Sequence, residues 1–186
     1  MAKRPRGFST NAIHAAVEPD PFTGSIMTPV HLTSTYVQQE LGVNKGYEYA
    51  RVSNPTRTVL EQNVAALEGG DAGLAFGSGM AAITTLFHLL KAGDHVLVSN
   101  NVYGGTYRLG KLVLNQFQLD FEFIDTTDAD NISKALRPNT RMIFVETPTN
   151  PTIELTDLKA VAKIATTNKV VSVVDNTFAS PYLQNP

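Results

Sequence analysis

Residues 170–175, Val-Val-Ser-Val-Val-Asp, carry a buried-strand pattern that ends in the carboxylate of Asp175. In an open α/β sheet the ligand crevice lies outside the carboxyl ends of the strands, so an acid there faces a binding site. A helix cap or a metal ligand would also use such an acid. No His, Cys or carboxylate cluster accompanies it at metal-ligand spacing, and no metal is expected. A second candidate is Gly77-Ser78-Gly79-Met80, where a short apolar run gives way to small residues and then to a helical pattern. Backbone N–H groups of Gly79 and Met80, with the Ser78 hydroxyl, can receive a phosphate at such a helix start. The flexibility that a strand-to-helix turn asks of glycine explains the same residues without a ligand. The full dinucleotide fingerprint and the Lys-Ser/Thr ending of a P-loop are both missing, which favours one phosphate over a pyrophosphate. An anion cup and a strand-end acid on one sheet suit a phosphorylated, cationic ring held at both ends.

Two further groups could join them. An extended Tyr49-Ala50-Arg51 segment points Tyr49 and Arg51 to one side, where they could clasp a phosphate. A packed tyrosine beside a solvent-facing arginine accounts for the same pair. Glu146 and Asn150 follow a strand within Glu146-Thr147-Pro148-Thr149-Asn150-Pro151. A proline-bounded turn explains much of that composition, and an amide facing a ring explains Asn150. Asn176 and Thr177 add hydrogen-bonding groups beside Asp175. His14, His31, His88 and His95 are widely separated, so structural roles are expected for all four.

The elements that must position these residues alternate. Residues 1–45 carry Pro5, Pro19, Pro21 and Pro29 among polar residues and glycines, which predicts an extended arm. Its Leu32, Tyr36 and Val37 need covering, and a partner subunit would do so. From Asn54, a cap followed by Pro55 and a Leu60, Val64, Leu67 stripe predicts a helix stopped by Gly69-Gly70. A short strand over 72–76 is expected next, then a helix presenting Met80, Ile83, Phe87 and Leu90 and closed by Gly93. Strands are predicted at 95–99, 120–124, 141–145 and 170–174. Helices are predicted over 103–116, around Ile132 and Leu136, and around Leu158, Val161, Ala162 and Ala165. Strands alternating with helices predict a mostly parallel α/β sheet covered on both sides.

Composition narrows the class. The chain has 186 residues, 42% of them hydrophobic, enough for one sizeable core. The 15 basic residues are dispersed and balanced by 17 acidic ones, so neither nucleic acid nor a membrane is an expected partner. Absence of cysteine excludes disulfides and thiolate metal sites. With no secretory signal or membrane-length apolar run, a cytoplasmic location is expected.

Five motifs in order carry a resemblance: Tyr49-Ala50-Arg51 with Ser53-Asn54-Pro55-Thr56, Gly77-Ser78-Gly79-Met80, Tyr103-Gly104-Gly105-Thr106, Glu146 to Pro151, and Asp175-Asn176-Thr177-Phe178. Over residues 8–186 the chain resembles the cystathionine and methionine sulfur-metabolism family of pyridoxal-phosphate enzymes. The resemblance implies pyridoxal 5'-phosphate as cofactor, whose charge pattern matches the acid and the anion cup. It also implies the aspartate-aminotransferase-like architecture of PLP fold type I. Residues 1–53 would be the N-terminal arm and intersubunit segment, and 54–186 part of the large cofactor-binding domain.

By the same resemblance, Tyr49 and Arg51 reach the phosphate of an adjacent subunit, and Gly79 and Met80 bind it within their own. Tyr103 stacks on the ring and assists proton transfer. Asn150 meets the phenolic oxygen and Asp175 the ring nitrogen, with Thr177 supporting the site. Ser78 and Glu146 are candidates for the surroundings of cofactor or substrate. The implied reaction is at the gamma carbon of sulfur amino acids, first formation of cystathionine from an activated homoserine ester and cysteine, next its cleavage to cysteine, 2-oxobutanoate and ammonia. Gly105 lowers the methionine-degrading alternative, since methionine gamma-lyases often carry cysteine there. The implied partners are an amino-acid substrate and further copies of the chain, at least a dimer and by resemblance a tetramer. The family's cofactor-bearing lysine and substrate-binding arginine would lie beyond Pro186, and Lys163 and Lys169 do not replace them. The 186 residues are therefore expected to be an inactive part of a larger enzyme, or a scaffold without catalysis if no such remainder exists.

Overall fold

The computed structural model describes residues 7–186. The chain separates into two compact units, Met1–Ala75 and Phe76–Pro186. Residues 55–68 fall by their contacts in the first unit.

In the first unit the arm is not extended throughout. Residues Phe8–His14 form helix α1, and Pro55–Glu68 form α2. The signal for α1 is tertiary: the Asn63 side chain on α2 donates to the carbonyls of Ala15 at 2.8 Å and Asn11 at 3.4 Å. The start of α2 is as expected. Asn54 Oδ1 accepts from the N–H of Thr56 and Arg57, Pro55 opens the helix, and Gly69 ends it at φ 66°. Such a cap is worth about 1 kcal/mol. Between α1 and α2 the chain turns repeatedly, with isolated antiparallel bridges Thr35 to Tyr49 and Glu40 to Val43. Leu32 and Val37 are exposed, as expected of residues awaiting a cover, whereas Tyr36 is half-buried against Tyr47 with ring centroids 5.6 Å apart. The expected strand over 72–76 does not form. Ala75 N–H donates instead to Glu61 at 2.9 Å, and a Cβ on Gly73 would lie 2.2 Å from the Glu61 carbonyl, so this segment is fitted against α2.

The second unit is built on four parallel strands, β1 His95–Ser99, β2 Asp120–Ile124, β3 Thr140–Glu146 and β4 Val171–Asp175, in the order β2-β1-β3-β4. Helix α3 Gly79–Phe87 precedes β1, α4 Gly104–Arg108 follows it, α5 Ala129–Ala135 follows β2, and α6 Leu158–Asn168 follows β3. One sheet face, with Val96, Val98, Phe121, Met142 and Phe144, packs on Ile83, Phe87 and Leu114. The other, with Leu97, Ile143 and Val145, packs on Ile132, Val161 and Ala165. Both faces are therefore covered, and β1 is buried at every residue, as the uninterrupted apolar run in a parallel strand requires.

Three elements differ from expectation. Helix α3 ends at Phe87 rather than running to Gly93, although Leu90 still packs on the first core. The helix expected over 103–116 divides into α4, a π turn at Leu109–Val113 and a 3-10 turn at Leu114–Phe117. Gly110 lies in the π turn, where a Cβ would meet the Phe121 ring at 2.8 Å, so close packing on the sheet is gained with an irregular helix. The last strand begins at Val171 rather than at 170, because Lys169 caps α6 in the left-handed region at φ 55°. A short α7, Ser180–Leu183, was not foreseen.

At the amino ends of the strands, His95 is fully buried, and its Nδ1 lies 2.8 Å from Thr140 Oγ1. Thr140 Oγ1 accepts from the N–H of Arg137, so its hydroxyl hydrogen is free to donate to Nδ1. His95 Nε2 lies 3.2 Å from Glu122 Oε2 without the alignment of a hydrogen bond. Burial, reinforced by Arg137, pushes the His95 pKa below its ordinary 6.5, against the opposing pull of Asp120 and Glu122. The unfolded chain then takes up a proton that the native ring refuses. Stability from this group is complete above pH 6.5 and is lost as pH falls below it toward the lowered native value. Thermal denaturation across that range should show a declining midpoint, and the decline should be shallower in His95→Leu; equal slopes would remove His95 from the account.

Candidate cofactor site

The carboxyl ends of β1, β3 and β4 open on a cavity of about 380 Å³. Its lining includes Ser78, Gly79, Met80, Tyr103, Glu146, Asn150, Asp175 and Thr177. Strand order places it at a switch point: the chain leaves β1 toward β2 on one side and returns to β3 on the other. Crevices of this kind are where open α/β sheets bind ligands.

Helix α3 supplies the anion cup. Ser78 Oγ accepts from the Ala81 N–H at 3.1 Å, which leaves its own hydrogen free to donate. The N–H groups of Gly79 and Met80 occupy the first helical positions, which lack intrahelical acceptors. Neither Gly77 nor Gly79 has a positive φ, and a Cβ on either would meet no atom within 4 Å. The chain's own packing does not demand these glycines, and the space they leave suits a phosphate approaching the backbone.

Asp175 ends β4, as the strand pattern required. Its Oδ1 accepts from Thr177 twice, from the hydroxyl at 2.5 Å and from the N–H at 3.2 Å. Thr177 thus orients the acid and leaves Oδ2 available to a ring nitrogen. Asn176, expected beside the ring, is committed elsewhere: its Nδ2 donates to the Gln184 backbone carbonyl and its Oδ1 accepts from Gln184 Nε2. Gln184 also donates to the Thr147 carbonyl, which ties the segment after β4 to the turn after β3.

Glu146 ends β3 level with Asp175 in the parallel register. It is 5% exposed, accepts from the Tyr103 N–H at 2.6 Å and the Asn150 N–H at 3.3 Å, and donates its own N–H to Ser99 Oγ. Burial pushes its pKa above the ordinary carboxylate value; the Tyr103 N–H opposes that, the Asp175 charge adds to it, and the Asn150 N–H opposes it weakly. Asn150 itself is exposed, in a turn containing two cis X-Pro bonds, Thr147-Pro148 and Asn150-Pro151.

Tyr103 stands at the start of α4 with its ring half exposed to the cavity. Gly105 decides where that ring sits, because a Cβ there would lie 2.5 Å from Tyr103 Cε1 and 2.8 Å from Met80 Sδ. Ile83, Pro148 and Phe178 complete the apolar lining. Phe178 was quoted only as part of a motif and Pro148 only as part of a turn; their place in the cavity depends on loop paths that spacing does not encode. Tyr49 and Arg51 belong to the first unit. They lie together as expected, Arg51 donating to the Tyr49 hydroxyl at 3.1 Å with its guanidinium 4.9 Å from the ring centre. A turn closed by Val52 and Ser53 N–H donating to the Tyr49 carbonyl joins them, not an extended segment.

Among the described residues no group of three or more His, Cys, Asp or Glu could hold a metal, and no helix is long and apolar enough to cross a membrane.

The fold is that of an α/β domain whose crevice carries a helix start with open N–H groups and a strand-end acid. A family model described as Cys/Met metabolism PLP-dependent enzyme matches residues 9–186, and the chain belongs to that family, whose cofactor is pyridoxal 5'-phosphate. It is 49% identical over 180 residues to a probable cystathionine gamma-synthase of Herpetosiphon aurantiacus, covering 97% of this chain and 56% of that protein. It is 49% identical to a cystathionine gamma-lyase of Bacillus subtilis, covering 95% and 47%, and 48% identical to a cystathionine beta-lyase of Coxiella burnetii, covering 95% and 46%. A crystal structure of metB from Corynebacterium glutamicum superposes with a TM-score of 0.95 at 50% identity, covering 97% of this chain and 48% of that one. The chain thus spans about half the length of the relatives it matches, and its sheet and helices are part of the fold-type-I architecture.

Replacing Gly105 by alanine should leave the melting temperature nearly unchanged but displace the Tyr103 ring. Loss of one aromatic stacking contact is worth about 0.5–1.5 kcal/mol, so pyridoxal phosphate affinity of the complete protein should fall by up to about tenfold. Titration of cofactor absorbance reads this, and unchanged affinity would show that the ring does not stack.

Proposed function

We propose that the complete protein is a pyridoxal-phosphate-dependent transsulfuration enzyme acting at the gamma carbon of sulfur amino acids. The reaction we favour forms cystathionine from an activated homoserine ester and cysteine. The observation that supports this reading is a single cavity lined by the α3 anion cup and the strand-end Asp175, with Tyr103 and Asn150 around it. In this reading residues 1–53 are the intersubunit arm and 54–186 an incomplete large cofactor-binding domain.

When bound, pyridoxal phosphate supplies an electron sink for proton removal beside the substrate's amine. Gly79 and Met80 N–H groups, with Ser78, bind the phosphate. Asp175, aligned by Thr177, presents negative charge to the ring nitrogen, which favours its protonated form. Tyr103 covers the ring and handles a proton at its hydroxyl, and the Asn150 amide meets the phenolic oxygen. The cavity lining carries two carboxylates and no lysine or arginine among the described residues, so the phosphate's charge needs a cation from elsewhere. Tyr49 and Arg51 of an adjacent subunit fill that need in an oligomer of at least two chains. The cofactor-bearing lysine and the substrate-carboxylate arginine come from the rest of the complete protein.

A gamma-lyase is the second reading, favoured by the 49% identity to the Bacillus subtilis enzyme of that name. Parallel assays on the complete protein decide. With an activated homoserine ester and cysteine, net cystathionine supports the synthase. With cystathionine alone, cysteine and 2-oxobutanoate indicate gamma cleavage, homocysteine and pyruvate indicate beta cleavage, and no product in either assay leaves the scaffold reading.

Asp175→Asn should retain the fold and lower turnover on the order of a hundredfold, since a preorganised charge is removed from the electron sink. Arg51→Ala should bind cofactor weakly, and mixing it with Asp175→Asn subunits should restore part of the activity. Mixtures no better than the separate variants would sink the shared-site model.

A further inference from the structure

The roles above leave Glu146 unused, although it is the most buried carboxylate bordering the cavity. Both of its oxygens are occupied, and by donors from different loops. Oε2 takes the N–H of Tyr103, which opens the segment after β1, and Oε1 takes the N–H of Asn150, in the turn after β3. The residue is itself fixed from below, because its N–H donates to Ser99 Oγ at 3.2 Å. Ser99 Oγ also shares a hydrogen bond with Thr126 Oγ1, 2.8 Å away, and Thr126 lies 2.9 Å from Thr156 Oγ1 in a buried hydroxyl chain. Each Glu146 side-chain oxygen is thus aimed at a backbone donor of a different loop.

We infer that Glu146 is a positioning residue, whose carboxylate clamps the Tyr103 and Asn150 backbones and so sets the ring of one and the amide of the other about the cofactor. The inference rests on the proposed roles of those two residues. A carboxylate is required because it offers two acceptors and no donor. A glutamine of the same shape offers one acceptor and turns its NH₂ toward the second backbone N–H, which a donor cannot satisfy. An aspartate keeps both acceptors one methylene short.

The test uses the complete protein, with and without pyridoxal phosphate. In the cofactor-free wild type, hydrogen exchange of the Tyr103 amide should be slowed at least tenfold relative to the amides of the following turn; unprotected exchange would overturn the clamp whatever the variants do. In the holoprotein, visible circular dichroism reports the asymmetry of the cofactor's surroundings. Its amplitude should fall in the order wild type, Glu146→Asp, Glu146→Gln, with the glutamine variant losing at least half the signal and about tenfold in cofactor affinity. A glutamine variant with wild-type amplitude and affinity would also overturn the inference. Should that variant not fold, the exchange measurement decides alone. Failure of the wild type to bind pyridoxal phosphate would instead strike the functional reading, while the cofactor-free exchange would still judge the clamp.

Discussion

The parallel register of β3 with β4 places Glu146 level with Asp175 at the sheet's carboxyl edge, and much of the site follows from that one pairing. Two carboxylates side by side in a partly dry setting repel, and each must be surrounded by donors to remain tolerable. The donors that answer are backbone N–H groups and a neighbouring hydroxyl, not lysines or arginines. The cavity lining therefore carries two carboxylates, while backbone N–H groups at the start of α3 offer donors to an anion. A ligand carrying positive charge at one end and phosphate at the other satisfies both.

Holding that edge in place takes the full thickness of the second unit. Each sheet face has its own apolar layer, so the strands are gripped from both sides, and hydrophobic burial on this scale dominates the favourable terms of folding. The loop that bears Tyr103 is anchored in the first apolar layer by Val102, and both it and the Asn150 turn are held by polar ties as well. Gln184 to Thr147 and Asn176, Asn101 to Thr149, and Glu146 to Tyr103 and Asn150 are those ties.

Much of the second unit was legible in the sequence because its signals are local. An apolar run ending in an acid located β4 and Asp175, and Asn54-Pro55 located the start of α2. The 95–99 and 120–124 strands coincide with their apolar runs. What was not legible depends on contacts distant in the chain. Helix α1 leans on Asn63, the 72–76 segment surrenders its N–H to Glu61, and the π turn exists because Gly110 meets Phe121. At the site, the pattern of residue types brought Asp175, Tyr103 and Gly79 to notice, and the structure places all three on one cavity. The turning of Asn176 toward Gln184 and the double grip of Glu146 follow from loop paths that residue type does not encode.

The four strands differ in how much solvent they see. Strands β1 and β3 are buried almost along their whole length, whereas β2 and β4 are partly open. In evolutionary terms, a substitution on an inner strand must fit between a neighbouring strand on each side and the helix layer on its face, while one on an outer strand has a neighbouring strand on one side only. Drift is channelled to the sheet's margins and to the helix surfaces. Glu146 ends β3 and Tyr103 follows β1, so the cavity's edge is carried by the two strands with least room to change.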